Sequence, residues 1–260
     1  MPNLHLGTQG WSYDSWVGSF YPHGTPPTGY LAHYATRFDT VELDTTFYAV
    51  PRATTIEGWR ERTPESFRFA AKFPQWITHE KQLVDCEDAA FAFLDAMTGL
   101  DQKLGPLLLQ MPPAFHVGQM DALTAFLQGL PTGFRYALEV RHRSWLAKEA
   151  LPGLLSLLQR QGVALCLVQH GWMPRLDEIT APFTYVRWLG RRQDIPDDNY
   201  SVVRINRDTQ LDTWAGQVAN YLRAGVIVYG SFNNHYQGHS PASVRALQAR
   251  LMGLEVQPGA

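Results

Sequence analysis

The chain has 260 residues, 45% of them hydrophobic, 12% aromatic and 18% charged, with 21 Gly and 17 Pro. A charged fraction below the ~25% of ordinary globular proteins excludes a mainly disordered chain, and the length is enough to bury a large core. With 22 Lys+Arg against 24 Asp+Glu the formal charge is −2, so no global basic field draws nucleic acid non-specifically.

Strand-like runs and helical patterns alternate along the chain. The strands are expected at His5–Gln9, Thr40–Asp44, Phe67–Lys72, Pro106–Gln110, Arg135–Arg141, Val163–Gln169, Phe183–Leu189 and Val226–Asn233. Each is short, rich in Val, Leu, Phe or Tyr, and bounded by Gly, Pro or polar residues. Between them, helices are expected at Tyr30–Phe38, Thr54–Arg62, Glu87–Leu104, Met120–Leu130, Trp145–Arg160 and Leu211–Ala224. The third carries Phe91, Leu94, Met97 and Leu100 on one face, and Pro152 divides the fifth into two pieces. A last helix opens at Ser240-Pro241, with Ser240 as N-cap and Pro241 at its first position. Gly171–Pro182, after strand six, is too short and Pro-rich for a regular helix and predicts an irregular short connection.

Eight strands alternating with helices fit a single-domain α/β chain folded as a (β/α)8 TIM barrel, expected over residues 1–254 with a C-terminal tail at 255–260. The competing open doubly wound sheet would show a Gly-rich phosphate loop after its first strand. Gly7-Thr-Gln-Gly-Trp-Ser12 does not match that fingerprint, and no Walker sequence occurs, so no nucleotide cofactor is expected. Cys86 and Cys166 form no disulfide framework, and Cys166, inside Val163-Ala-Leu-Cys-Leu-Val168, reads as a packed reduced thiol. Met1-Pro-Asn-Leu-His-Leu6 has neither the charged nor the apolar region of a signal peptide, and no apolar stretch reaches the ~18 residues of a membrane span. A cytoplasmic protein without membrane contact is the expectation.

Strand side chains alternate between two faces, so parity separates the barrel interior from the helix-facing side. In Val41-Glu-Leu-Asp44, Val41 and Leu43 should face helices, leaving Glu42 and Asp44 inside. The same count places Lys72 inside above the small Ala70, Gln110 on strand four, and Glu139 with Arg141 on strand five. Gln169, Arg187 and Asn233 follow on strands six to eight, with Gln9 on strand one. Three carboxylates, Glu42, Asp44 and Glu139, therefore meet three cations, Lys72, Arg141 and Arg187, at the mouth where barrel active sites are built. Buried charges cost several kcal/mol per ion unless paired, so a ring of this kind points to function over a purely structural network. The loops above it carry Trp11, Tyr13, Trp16, Tyr21, Phe47, Tyr48, Trp76, Trp145 and Trp172, rings able to stack on a sugar or base or simply to pack.

The same residues carry a resemblance. Gly7-Thr-Gln-Gly-Trp11, Val41-Glu-Leu-Asp-Thr-Thr-Phe-Tyr48, Lys72, Ile77-Thr-His-Glu80, Leu107-Leu-Leu-Gln-Met-Pro-Pro-Ala-Phe115, Glu139-Val-Arg-His-Arg-Ser-Trp145 and Phe232-Asn-Asn-His235 resemble the domain of unknown function 72 (YecE-like) family across nearly the whole chain. The resemblance implies a TIM barrel whose activity is unassigned. Against the family pattern, Gln9 stands where Ser is usual, Asp44 where Asn is usual, Gln169 near a common Asp, and Leu189 where Arg-x-His-Gly has its His. The shared set is Glu42, Lys72, Gln110, Glu139, Arg141, Arg187 and Asn233.

Among chemistries, a metal site is not expected. His79, His142, His170, His235 and His239 form no His-x-His or His-x-x-x-His pair on one element, and the strand-end carboxylates are matched by cations. No Gly-x-Ser-x-Gly elbow supports a serine hydrolase. A Schiff base at Lys72 would need a depressed pKa, and beside Glu42 a lysine is expected to stay charged. What remains is metal-independent acid–base chemistry by Glu42, Lys72 and Glu139 on a small polar, carbohydrate-like or phosphorylated ligand. Gln110, Arg141, Arg187, Asn233, Trp11 and Tyr48 would hold that ligand. An alternative is a nucleic-acid-binding or processing protein using the aromatic loops with Arg141, Arg143, Arg187, Arg191 and Arg192, and a further one is a non-catalytic ligand-binding protein.

Overall fold

Leu4–Gln9 (β1), Thr40–Leu43 (β2), Arg68–Lys72 (β3), Leu104–Gln110 (β4), Tyr136–Glu139 (β5), Ala164–Gln169 (β6), Phe183–Trp188 (β7) and Ile227–Phe232 (β8) pair in parallel with their sequence neighbours, and β8 closes on β1. The result is the (β/α)8 barrel. The structure, a computed structural model, describes residues 3–171, 173–195 and 199–254; the tail expected at 255–260 and Trp172 lie outside the described residues. The helices are Tyr30–Ala35 (α1), Ala53–Glu61 (α2), Glu87–Thr98 (α3), Met120–Gly129 (α4), Leu151–Gln161 (α5), Asp208–Arg223 (α6) and Ser240–Gly253 (α7). Among the described residues none of them is long and apolar enough to cross a membrane.

The period-2 pattern sorts two packing layers. Val41, Leu43, Phe69, Ala71, Leu107, Leu109, Leu138, Leu165, Leu167 and Val186 join the layer between barrel and helices. Ala70, Leu108, Ala137, Ala164, Cys166, Phe183, Tyr185 and Tyr229 fill the barrel itself. Small side chains from β3, β5 and β6 thus share the interior with bulky rings from β7 and β8. Cys166 belongs to this interior, and burial raises its thiol well above the ordinary range, so it is inert packing.

Three local expectations change. Phe91 is 44% exposed, and α3 instead buries Ala90 and Phe93 together with the expected Leu94 and Met97. Beyond α3 the chain forms a 3₁₀ turn, Asp101–Lys103, before entering β4. Ser240 is the first helical residue of α7 and not its cap: Asn234 Oδ1 accepts from the Ser240 amide at 3.1 Å and its hydroxyl at 2.7 Å. As expected, Pro152 sits in the first turn of α5, separate from a 3₁₀ turn at Arg143–Leu146.

Among the described residues no helix links β6 to β7. Leu176 and Ile179 pack on the core where a helix would lie, and Thr180 Oγ1 donates to the Val163 carbonyl and accepts from the Leu165 amide, both at 2.7 Å. Asp177 accepts from Gln217 and Tyr221 of α6, tying the loop to a neighbouring helix.

Tyr34 of α1 reaches between β1 and β2. Its hydroxyl accepts from the Thr8 amide and donates to the Thr40 carbonyl, each at 2.9 Å, where the direct register of the two strands only begins at Thr8 and Val41. Residue 7 must be glycine here, because a Cβ would sit 2.0 Å from the Thr40 carbonyl oxygen and 2.8 Å from the Tyr34 hydroxyl. Tyr34→Phe leaves a buried N–H and C=O without this partner, and urea denaturation should show a loss of about 1–3 kcal/mol.

Candidate active site

The mouth is built on one buried guanidinium. Arg187 ends the inward face of β7 and is 2% exposed. Its Nε and Nη2 donate to Glu42 Oε2 and Oε1 at 2.9 and 2.7 Å, and its Nη1 donates to Glu139 Oε2 at 2.6 Å. Tyr185, one inward step earlier on β7, donates its hydroxyl to Glu42 Oε2 at 2.7 Å. Arg141, just beyond β5, donates Nε to Glu139 Oε1 at 2.5 Å. Two carboxylates and two guanidiniums thus form a neutral quartet whose members come from β2, β5 and β7. Gln110 lies over it. With its amide oxygen toward the guanidiniums, the orientation that satisfies donors and acceptors, it accepts from Arg141 Nη2 at 2.7 Å and from Arg187 Nη1.

Lys72 stands apart from this quartet. Its ammonium lies 3.5 Å from Asp44 Oδ1 and 4.2 Å from the centre of the Phe47 ring, and the residue is 8% exposed. The sequence reading placed Glu42 beside it as the stabilising anion, yet both Glu42 oxygens are held by Arg187 and Tyr185. On the opposite side, Asn233 Nδ2 donates to Gln9 Oε1 at 2.8 Å. A Cβ on Gly190 would fall 1.6 Å from the His235 carbonyl oxygen, so the loops after β7 and β8 meet backbone to backbone. These groups enclose a cup of about 330 Å³ lined by Gln9, Asp44, Tyr48, Lys72, Gln110, Arg141, His170, Arg187, Leu189, Gly190, Arg192, Asn233 and His235.

Electrostatics divides the carboxylates. Burial pushes Glu139 up, but the Arg141 and Arg187 charges outweigh it and hold it well below the usual range. Burial likewise opposes ionisation of Glu42, and Arg187, with help from Lys72 and Tyr185, holds it down. Asp44 goes the other way: burial and then the Glu42 charge raise it to about 6, against the pull of Lys72 and Arg187. Burial lowers Lys72, aided by Arg187 and opposed by Asp44, Glu42 and Glu139. Burial, then the Arg141 charge, lowers His170 to about 4, so the imidazole is neutral at pH 7. Among the described residues no three His, Cys, Asp or Glu are grouped to hold a metal ion.

Residues 5–258 match the family described as Protein of unknown function DUF72. The chain belongs to that family. It is 37% identical to the UPF0759 protein YecE of Escherichia coli (strain K12) over 145 residues, 56% of this chain and 51% of YecE, so the match spans about half of that relative's length. It is 28% identical to the UPF0759 protein YunF of Bacillus subtilis (strain 168), with 90% of each chain covered. A solved DUF72 family protein of Thermotoga maritima MSB8 superposes with TM-score 0.76 at 25% identity, covering 97% of this chain and 99% of that one. One of Enterococcus faecalis V583 gives 0.78 at 21% identity, covering 96% and 95%, a likeness of fold.

Within this DUF72 barrel, Lys72, Gln110, Arg141, Arg187, Asn233 and Tyr48 line the cup, and Glu42 and Glu139 lie beneath it. Tyr48 is a rim residue, 74% exposed. Trp11 is not among the lining residues; its ring packs edge-on against Trp59 at 6.0 Å. Trp16, Tyr21 and Trp145 are buried packing groups, so they offer no face to a ligand, whereas Trp76 is exposed. Arg143, Arg191 and Arg192 are exposed, and of these Arg192 borders the cup. Gln169 faces outward, contrary to expectation: its Oε1 accepts from Trp214 Nε1 of α6 at 2.8 Å. β6 points Ala164, Cys166 and Val168 inward, so the next inward position is His170, which the sequence reading did not place there. β6 is apolar on both faces, so its alternation gave no signal for this position. Leu189, two residues beyond Arg187 and therefore on the same inward parity, was not picked out because it is apolar; Gly190, Arg192 and His235 belong to loops where parity has no meaning.

Two measurements check this electrostatic division. Arg187→Met leaves Glu42 and Glu139 without their shared cation and should lower unfolding free energy by about 3–5 kcal/mol in urea titrations. Asp44 should titrate near 6 in carbon-detected NMR, against an ordinary 3.8. The folded protein then holds a proton that the unfolded chain has released. Asp44's contribution to stability is therefore greatest below pH 3.8 and is lost as pH rises through 6, a trend that Asp44→Asn removes.

Proposed function

We propose that the cup is the active site of an enzyme that performs acid–base chemistry on a small anionic, polar ligand, with no metal required. Arg141 and Arg187, together with Arg192 at the edge, receive the anionic group; Gln110 and Asn233 orient polar substituents; Tyr48 covers the ligand from the rim. Lys72 and Asp44 move the proton. The observation that carries the reading is the arrangement of charges in depth: Glu42 and Glu139 lie below the cup and fix two guanidiniums that line it. Such donors need no reorganisation as negative charge arrives or develops, which is the arrangement that stabilises charged transition states.

In this reading Glu42 and Glu139 are positioning residues. Carboxylates held ionised by paired guanidiniums make poor proton carriers, whereas an acid raised to about 6 lies close to the operating range of a general acid–base group. Asp44 therefore takes the role that the sequence reading gave to the two glutamates, and Lys72 keeps its own.

The test is a calorimetric and thermal-shift comparison of phosphorylated and carboxylated sugars with their neutral counterparts. Only the anionic ligands should bind, and Arg141→Gln should weaken them by at least about tenfold, the loss of one charge-assisted contact. With a turned-over ligand in hand, Lys72→Met and Asp44→Asn should each lower kcat by about 10²–10⁴-fold while binding persists. Equal binding of neutral and anionic sugars would remove the basis of the proposal.

A further inference from the structure

We infer that Lys72 attacks the carbonyl carbon of an anionic aldehyde or ketone and holds it as an imine, with Asp44 as the proton carrier; this rests on the reading of the cup given above. The geometry points to it in three ways. First, the tight contacts of Glu42 and Glu139, 2.5–2.9 Å, go to Arg141, Arg187 and the Tyr185 hydroxyl, whereas Lys72 is left with Asp44 at 3.5 Å, longer than a charge-assisted hydrogen bond. A lysine whose task was ion pairing would compete for Glu42 or Glu139, and this one does not.

Second, Lys72 is nearly buried yet lines the cup, with the Phe47 face on one side and the guanidiniums across from it. Burial of the ammonium and the Arg187 guanidinium favour release of its proton and lower its pKa, against the pull of the Asp44, Glu42 and Glu139 charges and the Phe47 face. Third, Arg141, Arg187 and Lys72 line one cup, so the anionic group and the carbonyl of a single short molecule can be held there together.

The steps balance without any outside oxidant or reductant. Lys72 passes one proton to the Asp44 carboxylate, giving a neutral amine and a neutral acid. The amine nitrogen forms a bond to the carbonyl carbon, and one N–H proton moves to the former carbonyl oxygen to give a carbinolamine. Asp44 returns its proton to that hydroxyl, the C–O bond breaks, water leaves, and a protonated imine remains on Lys72 beside an ionised Asp44. The iminium then withdraws electrons from the adjacent carbon, which suits proton abstraction or carbon–carbon bond cleavage there.

The chain has four lysines, Lys72, Lys81, Lys103 and Lys148, so the assignment is cleanly readable. Lys81 and Lys148 are exposed, and Lys103 is buried with its ammonium on the Arg60 and Thr63 carbonyls. The full chain is incubated separately with pyruvate, glyoxylate and glyceraldehyde 3-phosphate in the presence of cyanoborohydride, and the reduced adducts are mapped by peptide mass spectrometry. With at least one probe, Lys72 should be labelled at least about tenfold faster than Lys148, and Asp44→Asn should slow Lys72 labelling by about tenfold or more. Calorimetric affinity for that probe should be kept or tightened in Asp44→Asn, since a negative charge has left the cup. Lys72 labelled no faster than Lys148 with all three probes overturns the inference. If the probes nevertheless bind, the anionic cup stands and only the imine falls; if neither they nor inorganic phosphate bind, both fall.

Discussion

Arg187 shares one positive charge between two buried carboxylates, and the rest of the mouth is arranged around that sharing. Glu42 comes from β2 and Glu139 from β5, elements that do not touch in the sheet order. The guanidinium spans the barrel between them with a bidentate contact on one side and a single contact on the other. A single cation cannot neutralise two anions, so the arrangement requires a second one, and Arg141 supplies it from the rim. Buried ion pairs are weak evidence for stability, because well-packed apolar residues usually serve a core as well or better. A barrel that keeps four such charges at its open end holds donors in fixed positions, the arrangement on which the proposed anion binding rests.

The layer below makes this possible. On β3 and β5 the inward residue one step beneath the mouth is alanine, Ala70 under Lys72 and Ala137 under Glu139, while β7 places Tyr185 beneath Arg187. The small residues leave room for the longer side chains above them, and the tyrosine fills the opposite side while donating to Glu42. Burial raises the Tyr185 phenol well above its ordinary range, so it remains a donor. Packing and electrostatics are therefore one problem: the ring from β7 that fills the barrel also satisfies the carboxylate that β2 sends into it.

Much of this was legible in the amino-acid sequence, and what was not has physical reasons. Where a strand alternates polar with apolar residues, as Val41-Glu-Leu-Asp44 does, parity tells inside from outside, and Glu42, Lys72, Gln110, Glu139 and Arg187 all fall where counting puts them. β6 is apolar on both faces, as strands of a parallel sheet tend to be, and alternation there carries no information. Counting then assigned Gln169 inward, although it bonds to Trp214, and His170 was passed over. Trp11 illustrates a different limit. A tryptophan next to a strand end is equally suited to a helix partner or a ligand, and here Trp59 takes it. The aromatic loops as a group were ambiguous for this reason, since rings that pack and rings that stack look alike until a neighbour is known. The partners of Lys72 also could not be read, because parity names the ring members but not which cation each anion chooses.

That choice is what separates Lys72 from its neighbours. Once Glu42 and Glu139 are committed to the arginines, their quartet is neutral, and Lys72 with Asp44 forms a second, looser pair beside it. Moving a proton within that pair turns two opposite charges into two neutral groups and leaves the net charge of the mouth unchanged. The quartet therefore does not resist the transfer as it would resist a change in net charge, and burial favours the neutral pair. Arginine could not substitute, because its guanidinium does not give up a proton in a protein. The barrel thus uses arginines for the fixed quartet and places its lysine beside Asp44, the cup-lining carboxylate whose pKa burial and the Glu42 charge raise, which is the pairing the proposed proton transfer requires.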